Sequence, residues 1–84
     1  MSPAARREHR DGYVRACRLI GIGDNAAGSG FDHALDGGPV ALLAALCTLI
    51  DTSAAPGSPE RRVGAARAAH HLARAALLAA DGAR

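Results

Sequence analysis

The sequence predicts an all-α fold of three main helices in a small bundle, and three observations predict it. Alanine dominates the apolar residues, the composition is poor in aromatics, and two Ser-Pro pairs stand where helices would open. Alanine is the strongest helix former, whereas a strand needs β-branched and aromatic surface. Serine followed by proline supplies an N-cap and a first helical residue whose missing N–H costs nothing there.

Ser2-Pro3 opens the first helix, expected over residues 3–20. Tyr13, Ala16, Cys17 and Ile20 fall at i, i+3, i+4 and i+7 and define one apolar face, broadened by Val14. Arg15 and Arg18 lie on other faces and are expected to be solvated. Gly12 costs up to ~1 kcal/mol inside a helix, which predicts a bend or a late start near Asp11.

Residues 21–38 read as a Gly-rich loop. GIGDNAAGSG carries four glycines in ten residues, which makes a loop or a broken short helix, and Phe31–Leu35 could add a short helical turn. Pro39 starts the next helix, expected over 39–51. Leu42, Leu43, Leu46, Leu49 and Ile50 fill a broad arc, with Val40, Ala44, Ala45 and Thr48 on the other side. A helix apolar nearly all round is a buried one, so this is the expected central helix.

Ser58-Pro59-Glu60 opens the third helix, expected over 59–80, with Asp81-Gly82 as its stop. Glu60, Arg67, Arg74 and Asp81 recur at heptad spacing and form a polar stripe that also takes in His71. His70, nearer Val63 and Leu77, is expected at a core edge or an interface. The alanine-rich remainder suits close helix approach.

The chain forms one domain over 1–84 with little core material. At 8.5 kDa a monomer buries only about 60% of its unfolded surface. The hydrophobic fraction of 49% is inflated by alanine, with one Phe, one Tyr, one Met and no Trp. A bundle this poor in large side chains is expected to be completed by dimerisation or by a partner protein. The expected interface residues are Leu42, Leu46 and Leu49 on the second helix and His70, Ala73 and Leu77 on the third.

All ten basic residues are arginine, and the net charge of +2 is too small to imply nucleic acid or an anionic membrane. The longest uncharged run, Gly37 to Ile50, has fourteen residues, short of the ~20 that span a bilayer. No apolar leader core follows the polar Met1–Arg10 segment. A soluble, cytoplasmic protein without membrane contact is expected. Two cysteines make no disulfide framework, and both Cys17 and Cys47 read as small hydrophobes in the core.

No constellation for catalysis stands out. Gly21-Ile22-Gly23-Asp24-Asn25-Ala26 matches the dinucleotide fingerprint G-x-G-x-x-A, but it follows a helix and no parallel sheet can be assembled around it. The cysteines and histidines show no C-x-x-C or H-x-x-x-H spacing, so no metal and no cofactor is expected. The reading is therefore a non-enzymatic interaction or regulatory accessory protein. Two alternatives stay open. One is a small-ligand or enzymatic site at Gly21–Asp36 using Asp24, Asn25, Asp32 and His33. The other is a DNA-binding regulator using Arg6, Arg7 and Arg10 for phosphates.

Overall fold

The computed structural model describes residues 1–82, all of whose regular structure is helical. Four helices follow in order: α1 (Pro3–Arg18), α2 (Asp24–Asp36), α3 (Pro39–Ala54) and α4 (Pro59–Gly82). No helix among the described residues is long and apolar enough to cross a membrane.

Both Ser-Pro entries work as the sequence implies. The Ala5 amide donates to Ser2 Oγ at 3.1 Å and the Arg61 amide to Ser58 Oγ at 3.2 Å. Two reversals need glycine: Gly21 after α1 and Gly38 before α3 adopt φ of +89° and +91°, where a Cβ is strained.

The expected 21–38 loop is instead mostly α2, thirteen residues long and not a turn confined to 31–35. Its own propensity is poor, so packing holds it. Ala27, Phe31 and Ala34 recur at i, i+4 and i+7 and are all buried. Phe31 has no exposure and tilts against Tyr13 of α1, ring centroids 5.4 Å apart. Ion pairs from α1 hold the other side.

The central element is α4, not the helix starting at Pro39. It packs on α1, α3 and α2, most extensively on α1, while the α1 and α3 backbones do not approach each other closely. Ala65, Ala68, Leu72 and Ala75 are fully buried along one face of α4. Small residues let neighbouring axes close in on both sides. Gly64 marks the tightest crossing: a Cβ there would fall 2.6 Å from Leu19 Cβ and 2.8 Å from the Ala16 carbonyl oxygen. Arg61 then ties the entry of α4 to the exit of α1, its Nη1 donating to the Ile20 carbonyl at 2.9 Å.

α3 lies at the edge of the bundle. Of its residues only Leu49 is buried; Leu42, Ala45 and Leu46 are half-buried against the core. The body measures 40 × 22 × 17 Å, so its shortest dimension holds barely two helix layers and α3 keeps an outer side.

Two expectations about single residues reverse. Cys17 is buried, but Cys47 is exposed on the outer side of α3. His71, expected to be solvated on the polar stripe, is half-buried. The reason is Gly12. It sits inside an unbroken α1, and the His71 ring occupies the space its side chain would fill, 2.5 Å from the place of a Cβ. The glycine that looked like a break in a helix is a notch for a histidine from another one. Glu60, Arg67, Arg74 and Asp81 are all exposed, as a polar stripe requires.

Candidate interaction surface

Four residues dominate the outer side of α3. Val40, Leu43 and Ile50 are 84%, 63% and 56% exposed, and Cys47 lies between them. Their spacing is 3, 4 and 3 residues, continued four residues on by the exposed Ala54. This is the spacing of a coiled-coil seam. No charged residue interrupts it between Pro39 and Ile50. Beyond Ile50, a shallow groove between α3 and α4 is bordered by Ser53, Pro59, Val63 and Ala66, with Arg62 on its edge.

The residues expected at an interface divide accordingly. Leu49 is committed to the chain's own core, and Leu42 and Leu46 lie half-buried on the core side of α3. On α4, His70 is exposed, Ala73 is half-buried and Leu77 is 57% exposed. The outward positions Val40, Leu43, Cys47 and Ile50 are the ones sequence reasoning passed over. The 3-4-3 spacing was readable, but a helix apolar on all sides does not say which side faces in.

The loop candidates have a different environment. Asp32 accepts from Arg10 (Nε to Oδ1, 3.2 Å; Nη2 to Oδ2, 3.2 Å) and from Arg6 (Nη2 to Oδ1, 3.2 Å). Arg6 also donates through both terminal nitrogens to Asp36, at 3.1 and 3.0 Å. Arg18 grips Asp24 through Nε and Nη2 at 2.8 and 2.7 Å. These forked pairs fasten α2 to α1. Arg7 alone of the three expected phosphate-binding arginines has no acidic partner among the described residues. His33 is exposed near the end of α2.

Asp24 and Asn25 do line a cleft of about 560 Å³ between α1 and the start of α2, with Arg10, Asp11, Arg15, Arg18 and Ser29. Arg10 and Arg18 of its wall are paired within the chain, to Asp32 and Asp24, whereas Asp11 and Arg15 of the same wall have no ion pair among the described residues. The Arg18 hydrogen bond holds the Asp24 carboxyl below its usual range. Burial alone would raise Asp32, and the Arg10 and Arg6 hydrogen bonds more than reverse it. In the core, burial pushes the Tyr13 phenol up to about 12 and raises the Cys17 thiol. Among the described residues no group of three or more His, Cys, Asp or Glu could hold a metal.

One titratable pair joins α1 to α4. His9 Nδ1 and His71 Nδ1 lie 3.2 Å apart, so one nitrogen must donate and the other accept. Burial first, then the charges of His9, His70 and Arg15, hold His71 below the ordinary 6.5, while Glu8 works the other way. A folded value below the unfolded one means that the unfolded chain takes the proton first. Stability is therefore expected to fall as pH drops below about 6.5. Asp24 and Asp32, held below 3.8, contribute in full above that value and lose the contribution as the pH falls from there through their folded values. Urea midpoints between pH 8 and 3 are expected to show both limbs, and H71Q to flatten the first. A wild-type midpoint level from pH 7 to 5 would refute the assignment.

No protein-family model, no curated protein and no solved structure matches the chain.

Proposed function

We propose that this chain is a non-enzymatic helical interaction protein, acting through protein contacts on the outward face of α3. The observation that carries the reading is the exposed Val40, Leu43, Cys47 and Ile50 seam, uncharged and spaced for another helix. The chemistry elsewhere supports it: Asp24 in the α1–α2 cleft is engaged by Arg18 and Asp32 beside it by Arg10, and burial raises the Cys17 thiol. Arg6 and Arg10, two of the three arginines of the nucleic-acid reading, are paired with Asp32 and Asp36, Arg6 with both and Arg10 with Asp32.

The test is photo-crosslinking in the cell. A benzoyl-phenylalanine replacing Ala44, on the rim of the seam, is expected to give a discrete protein adduct. The same group replacing Arg7 on the far side of the fold is expected to give none. Absence of a protein adduct from position 44, or an adduct with lipid alone, would overturn the reading.

A further inference from the structure

We infer that the occupant of this face is the α3 of a second copy, laid antiparallel so that Leu43 of each chain meets Cys47 of the other. The inference rests on the reading of the face as a protein contact and adds the partner and its orientation.

The seam is symmetric about Ala45. Reversing a second α3 about that point sets Val40 against Ile50 of the partner subunit and Leu43 against Cys47 of the partner subunit. Each layer joins a residue that opens a 3-residue step to one that closes it, as antiparallel seams require. The larger Leu43 is matched by the smaller Cys47. With no charge between Pro39 and Ile50, self-pairing brings no like charges together.

The ends of α3 supply the complementarity. Its N-cap, Gly38, gives no side-chain hydrogen bond, and no acid stands in its first turn. The Leu42 amide bonds the Gly38 carbonyl and Pro39 has no N–H. Among the described residues, the Val40 and Ala41 amides are left without an acceptor. Asp51 is exposed in the last turn of the same helix, where its negative charge opposes the helix dipole. In the antiparallel pair Asp51 lies level with Pro39 of the partner subunit, beside those open amides. A carboxylate misplaced in its own helix is thus well placed for the other. The parallel pair would put both Asp51 residues at the same end and align the two dipoles.

Light scattering on the full chain at tens of micromolar is expected to give twice the 8.5 kDa chain mass. L43E is expected to give the single mass with unchanged far-UV circular dichroism. Under mild oxidation L43C is expected to form a covalent dimer. Wild type, and L43C combined with C47S, are expected to stay uncrosslinked, because their cysteines lie beyond the ~7 Å Cα reach of a disulfide. D51N is expected to weaken the dimer by about 3- to 30-fold while raising the thermal midpoint of the L43E monomer. A wild-type monomer at these concentrations, or one that binds phosphatidylcholine vesicles instead of itself, would overturn the second copy. Dimerisation with a Cys47–Cys47 disulfide would overturn the orientation. In either case a protein adduct at position 44 would leave the broader reading standing.

Discussion

Phe31→Ala is expected to remove about 3–5 kcal/mol from the folding free energy. The ring is fully buried, and it is the only phenylalanine in the chain. Alanine makes up much of the core it belongs to, and alanine side chains cannot move in to fill the space. Stabilities of roughly 0.05–0.15 kcal/mol per residue leave a domain of this size little reserve against such a loss. The damage should begin in α2, whose Gly28 and Gly30 give it little helical tendency of its own. Hydrogen exchange is expected to show α2 amides losing protection before those of α1 and α4. Urea unfolding gives the global figure, and F31L, which keeps most of the volume, should lose roughly half as much. A loss under about 1 kcal/mol for F31A would mean that α2 is not held by this contact.

Gly64→Val has the second large effect, through overpacking. A Cβ at Gly64 meets the Ala16 carbonyl oxygen at 2.8 Å, and backbone cannot rotate away as a side-chain tip can. The α1–α4 crossing must open, which also strains the bond from Arg61 to the Ile20 carbonyl. About 3 kcal/mol is the expected cost, only partly offset in Gly64→Ala by the better helix propensity of alanine. Gly30, with nothing near its Cβ position, is the control: G30A is expected to stabilise the fold by up to about 1 kcal/mol. If G64V melted no earlier than wild type, the crossing would not be as tight as described.

The legible parts of the fold were those written locally. Ser2-Pro3 and Ser58-Pro59 announce helix entries because capping is settled within four residues. The face of Tyr13, Ala16 and Cys17 in α1 was readable from its period and is buried. α2 was not, because four glycines in ten residues obscure the Ala27, Phe31, Ala34 repeat, and the arginines that clamp it lie in another helix. Which helix takes the centre was also hidden. The leucine-rich α3 has more apolar surface, but the alanine face of α4 has less bulk, and bulk limits how many neighbours can approach one axis. His71 followed the polar stripe by spacing and left it in space, since only the notch at Gly12 brings it inward. The outward seam of α3 became visible once Leu49 fixed the inward side.

The dominance of the α1–α4 contact also sets an order of events during synthesis. α1 leaves the ribosome first, yet the surface that covers Ala16 and Cys17 belongs to α4, about fifty residues later. At roughly 5–20 residues per second the nascent α1 waits several seconds for that surface. Only the shorter contact with α2, centred on Tyr13 and Phe31, can form meanwhile. A nascent chain that has emerged as far as Ser58 would therefore carry α1, α2 and α3 without α4, with the face of α1 that α4 covers left open to chaperones.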